Sequence, residues 1–97
     1  MRPLFIAILA TLICPPAVAD DAPTVLKPGA GDTLTSANCN ICHTMNYIVM
    51  NSMFLTQAGW QAEVTKMRSA FGAPIDDATA AEIIAYLAAH YAVPAKP

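Results

Sequence analysis

Two thiols and an imidazole fall together in the run Cys39-Asn40-Ile41-Cys42-His43. Cysteines three positions apart lie about one helical turn from each other. Set that way, the pair can form thioethers to the two vinyl groups of a porphyrin, and the histidine that follows is then held beneath the iron as proximal ligand. This is why C-x-x-C-H is the attachment pattern of a c-type haem. It specifies both the covalent link and one axial bond.

The same residues admit three other chemistries. A thioredoxin-like redox pair also uses C-x-x-C, but within a βαβ pattern, and no period-two run of β-branched residues lies near Cys39. A structural zinc site needs four ligands, and beyond Cys39, Cys42 and His43 only His90 remains among the usual soft donors. A disulfide between Cys39 and Cys42 would close a loop too short to remove much entropy from the unfolded chain. Covalent haem is the leading reading.

The start of the chain points the same way. Arg2 precedes an apolar run from Leu4 to Ile13, then Pro15-Pro16-Ala17-Val18-Ala19 before Asp20. A charged n-region, a short h-region and an A-x-A site form a secretory leader. The run is shorter than the roughly 20 apolar residues that span a bilayer. Cys14 follows Ile13 and precedes Pro15, which argues against a lipidation site. Cleavage before Asp20 removes Cys14 and leaves only the two motif cysteines. Covalent haem assembly belongs outside the bacterial cytoplasm, so leader and motif predict each other and place the mature protein in the periplasm.

The remainder, Asp20 to Pro97, suffices for one small domain with a modest core, to which a haem would add a large apolar surface. The formal net charge is −2 at pH 7, with no basic stripe for nucleic acid. A partner surface of positive potential is the easier electrostatic match.

Three main helices and no strands are expected to position the motif, so the fold class is all-α. Asp20 to Gly31, with Pro23, Pro28, Gly29 and Gly31, reads as an extended arm that either frays or wraps a neighbour. From Asp32 or Thr33, either able to cap, a first helix carries Leu34, Ala37, Ile41 and Cys42 on one side and the motif at its C-terminal end. Tyr47 to Leu55, rich in methionine, reads as a loop or a turn of helix lying on the porphyrin. Thr56 caps a second helix to about Ala70, with Trp60, Val64, Met67 and Phe71 on one stripe, closed by Gly72 and Pro74. The last helix starts at Asp76 or Asp77 and runs to about Tyr91, with Ile83, Tyr86, Leu87 and Tyr91 inward. Asp76-Asp77 is therefore a helix start, not a catalytic dyad.

What fills the iron's sixth position decides between electron transfer and ligand binding. Met45 is too close to His43 to reach the opposite face of the ring. Met67 is the preferred distal ligand, because the chain has room there to fold over the distal side. Met50 and Met53 are the alternatives, followed by His90; a core role is the ordinary fate of a methionine such as Met67. A thioether ligand makes an electron-transfer protein without catalytic acid or base, whereas an open site makes a small-ligand binder or sensor.

The motif near the start of the mature domain, followed by helices, resembles the class I c-type cytochromes. Asn38 through His43, Tyr47-Ile48-Val49-Met50, Trp60 with Val64 and Lys66-Met67, Gly72-Ala73-Pro74-Ile75, and Ile84-Ala85-Tyr86-Leu87 are similar to the cytochrome subunit of bacterial sulfite dehydrogenase. The resemblance spans nearly all of Asp32 to Tyr91. It implies a cytochrome c domain over 32–93, which follows the leader over 1–19 and the arm over 20–31 and leaves a tail over 94–97. It also implies one haem c on Cys39 and Cys42, with His43 and Met67 as axial ligands. The implied role is that of an electron-transfer subunit, not catalytic by itself, which takes electrons from a molybdopterin-containing sulfite-oxidising subunit. A downstream cytochrome c or terminal oxidase would receive them. A free carrier, or the haem subunit of another periplasmic dehydrogenase, fits the same residues.

Overall fold

The structure is a computed structural model that describes residues 13–16 and 22–96. Among the described residues there are four helices and no strand: α1 (Asp32–Cys39), α2 (Asn46–Asn51), α3 (Gln57–Ser69) and α4 (Asp77–His90). The chain is all-α as expected, and the methionine-rich stretch supplies the short α2. Most of the expected leader and its junction before Asp20 lie outside the described residues; within 13–16, Cys14 is exposed. No helix among the described residues is long and apolar enough to cross a membrane.

The two long helices begin where the sequence supplies a cap. Thr56 Oγ1 accepts the Gly59 N–H at 3.1 Å, and Asp76 Oδ1 accepts the Thr79 N–H at 2.7 Å. After α3, Gly72 takes φ 68° and the Ala73 N–H returns to the Met67 carbonyl at 2.9 Å, which stops the helix before Pro74. Trp60 and Val64 of α3 join Ala80, Ile83, Tyr86 and Leu87 of α4 in one core with Leu26, Met45, Ile48 and Tyr91. The Trp60 indole N–H donates to the Tyr91 carbonyl at 2.8 Å inside it. Phe71 leaves the stripe on which it was expected. The helix has already ended at Ser69, and its ring is 73% exposed.

The start of α1 corrects the sequence reading. Its N-cap is Gly31 at φ 94°, without any side-chain cap, and not Asp32 or Thr33. Asp32 instead accepts the Gly29 N–H at 3.2 Å. The reason is tertiary: a Cβ on Gly31 would lie 3.0 Å from the Tyr86 Cβ, so both the backbone angle and the approach of α4 call for glycine. One turn on, Thr35 is wholly buried, and its hydroxyl has no hydrogen-bond partner among the described residues. The helix ends at Cys39 with Asn40 as C-cap, so Ile41, Cys42 and His43, expected within the first helix, lie in the turn beyond it, and Ile41 is exposed.

The arm is bound to its own chain. Leu26 is buried, the Lys27 N–H donates to the Tyr91 hydroxyl at 2.7 Å, and the Tyr86 hydroxyl donates to the Lys27 carbonyl. Burial, with Tyr91 beside it, pushes the Tyr86 phenol up to about 12, so it remains a donor throughout the ordinary pH range. Lys27 Nζ donates to the His90 carbonyl at 2.9 Å and lies 4.8 Å from the centre of the Tyr91 ring. Thr24 hydrogen-bonds the Asn46 side chain, which ties the arm to α2 as well. α1 and α3 each pack on α4 and not on each other.

Candidate functional site

α1 and α3 both pack on α4, and a cavity of about 520 Å³ opens between them. That is within the size range of small-molecule and cofactor sites, roughly 300–1,000 Å³. The end of α1 contributes Asn38 and Cys39, the turn after it Cys42 and His43, and α2 Tyr47. From the other side come Glu63, Lys66 and Met67 of α3, then Phe71, Ala73 and Ile75. The structure thus brings Cys39, Cys42, His43 and Met67 to one cavity. Met50 and Met53 do not line it and are 70% and 68% exposed, while Met45 is in the core. His90 is elsewhere, its ring 4.8 Å from that of Tyr86 and against Gly29.

Local geometry prepares the histidine. Its Nδ1 lies 3.0 Å from the Thr44 carbonyl, which can only accept, so Nδ1 carries the proton and Nε2 keeps its lone pair for a metal. The Tyr47 ring packs 5.2 Å from the imidazole. Cys39 is half-buried, Cys42 is exposed, and both are free thiols. Burial pushes the Cys39 thiol up, the reverse of the lowered thiol a reactive redox pair requires. His90, the fourth soft donor a zinc set would draw on, packs against Tyr86 and does not line this cavity.

Met67 is half-buried in the last turns of α3, and the segment after it is fastened down. Arg68 Nε donates to the Ile75 carbonyl at 2.8 Å, and its Nη2 meets Asp77 Oδ1 at 2.6 Å. Asp77 is almost fully exposed, so the ion pair itself adds little stability. The bond to Ile75, in contrast, holds the Phe71 to Ile75 wall of the cavity against α3.

Sequence reading missed the polar end of the cavity. The Tyr47 hydroxyl donates to Glu63 Oε2 at 2.6 Å, and Lys66 Nζ lies 2.9 Å from Glu63 Oε1. The bond from Tyr47, then the one from Lys66, holds the Glu63 carboxyl below the usual carboxylate range, and the same bond pushes the Tyr47 phenol up. The spacing of Glu63 and Lys66 on one helix was a readable signal. Nothing in the sequence pairs either with Tyr47.

A second depression, about 570 Å³, lies between the start of α3 and residues 92–95, lined by glutamines, alanines, Thr56, Val93 and Pro94. It presents no thiol, imidazole or charged group. Of these two cavities, the first holds the thiols, the imidazole and the thioether. Its donor set suits a flat, largely apolar metallated ring: two thiols on one side, an imidazole with a free Nε2, a thioether on another helix, and apolar walls. No known protein family matches the chain, and no curated protein is found to be similar to it.

Proposed function

We propose that this chain is a periplasmic electron-transfer protein carrying one haem c, bound through Cys39 and Cys42, with His43 and Met67 as axial ligands. The observation that carries the reading is the convergence of these four residues on one cavity. The hydrogen bond from His43 Nδ1 to Thr44 adds to it, because it leaves the other ring nitrogen free as a ligand. Bound there, the haem supplies reversible one-electron chemistry.

The chain's own residues hold the group. Thr44 orients the imidazole, Phe71, Ala73 and Ile75 form one largely apolar wall, and Arg68 keeps that wall in place. No acid or base is required, and Asp76 is engaged as a helix cap. As electron donor we propose a molybdopterin-containing sulfite-oxidising subunit, and as acceptor a cytochrome c or terminal oxidase. The sequence resemblance supports that choice.

The test is to produce the full chain in a host with c-type haem attachment machinery and record the pyridine haemochrome spectrum and the intact mass. A mature chain bearing one covalent haem, lost in the C39A/C42A variant, is expected. A mature chain with two free thiols and no haem would overturn the proposal. Copurification from the native periplasm tests the donor: emergence without a molybdenum-containing partner rules out a stable subunit.

A further inference from the structure

One charge on the wall of the largely apolar cavity is left over by this reading: the Glu63 carboxylate. We infer that Glu63 is the residue whose negative charge sets the iron's reduction potential, with Tyr47 and Lys66 holding it in position; the inference rests on the haem reading. Three observations carry it. Glu63 lines the same cavity as His43 and Met67, its side chain is only 18% exposed, and both of its oxygens are engaged.

Glu63 stands four residues before Met67, hence on the same face of α3, one turn away. Placing a carboxylate beside an apolar cavity is costly unless donors satisfy it. Here Tyr47 reaches over from α2 to one oxygen, and Lys66 takes the other. Charge-assisted hydrogen bonds of this kind hold a carboxylate in its charged form. A charge shielded from water is little screened by salt. Ferric haem carries one more positive charge than ferrous haem, so a fixed negative charge nearby favours the ferric state and lowers the potential. Lys66 acts in the opposite direction, more weakly, since its side chain is 49% exposed.

A purely structural role, tying α2 to α3 around the cavity, makes a different prediction. In that case Y47F and E63Q, which disturb the same bond, would move the potential alike. For a charge effect, E63Q removes the negative charge and keeps an oxygen for Tyr47, whereas Y47F keeps the charge and removes its donor. The experiment is redox titration of the haem-loaded full chain in four forms: wild type, E63Q, K66Q and Y47F. In E63Q the ferrous-to-ferric ratio at a fixed ambient potential should rise several-fold. In K66Q it should fall by a smaller factor, and in Y47F it should not rise. K66Q, altered at a half-exposed position, keeps the test available if E63Q folds poorly. A haem-bearing E63Q with unchanged potential, or a K66Q with a raised one, would overturn this inference alone. A wild type without haem would overturn the functional proposal, and this inference with it.

Discussion

Replacing Thr35 by valine should stabilise the protein, against the usual direction of core substitutions. Thr35 lies one turn after Gly31 and is wholly buried, and its hydroxyl is without a hydrogen-bond partner among the described residues. An unsatisfied buried polar group costs about 1–3 kcal/mol, which the valine no longer incurs. The methyl that takes the oxygen's place adds up to about 0.8 kcal/mol of apolar burial. Both residues are β-branched with nearly equal helix propensity, so α1 itself should neither gain nor lose. The expected net gain is about 1–3 kcal/mol. In a domain of this size each kcal/mol raises Tm by roughly 4–8 °C. Urea and thermal unfolding followed by far-ultraviolet circular dichroism measure it, with Thr35→Ala as a control that also removes the hydroxyl but leaves a void and should therefore gain less than T35V. A T35V protein less stable than wild type by about 1 kcal/mol or more would show that the hydroxyl is satisfied, and the reasoning would fail.

Three further outcomes are expected. M67A should open the ferrous iron to carbon monoxide and lower the potential, whereas M50A and M53A, altered at positions 70% and 68% exposed, should leave both unchanged; visible spectra with and without carbon monoxide separate them. L26A should cost about 2–4 kcal/mol in urea unfolding and expose the arm to proteolysis, because Leu26 is, among the described residues, the arm's only side chain in the core; a change within about 0.5 kcal/mol would mean that the arm is loosely held. Asp76 is held below the ordinary carboxylate range, chiefly by the Thr79 N–H, so its contribution is present above the unfolded value, near 3.8, and is lost as pH falls through the lower folded value. D76N should keep the cap and flatten stability over that acid window, read from unfolding midpoints between about pH 5 and pH 2.

The parts legible in the sequence are those decided within a turn or two of chain. Thr56 and Asp76 cap their helices through bonds to residues three positions on, and the alternation of Ile83, Tyr86, Leu87 and Tyr91 follows from helical geometry alone. The two thiols and the imidazole of the motif, and Met67, stood out by type and spacing, and these four side chains line one cavity. What escaped depends on distant neighbours. Gly31 caps α1 because Tyr86 crowds it, and Leu26 is buried because Tyr86 and Tyr91 hold Lys27. The Tyr47 to Glu63 bond joins two helices whose sequences give no hint of each other. Ile41 and Phe71 were misplaced for a simpler reason: each lies just past a helix end, where the helical period no longer applies.

The central position of α4 has a consequence for how the chain is made. It receives α1, α3 and the arm, yet it comes last of the four helices in chain order. Synthesis delivers residues from the N-terminus, and domains ordinarily close as they emerge. Here neither the arm nor α1 has its packing surface until Tyr86 and Tyr91 have been made, so an emerging chain stays open almost to its end. Contacts as distant as Lys27 to Tyr91 also favour slow closure. Cys39, half-buried in the finished fold, stays open to solvent until the final helix arrives.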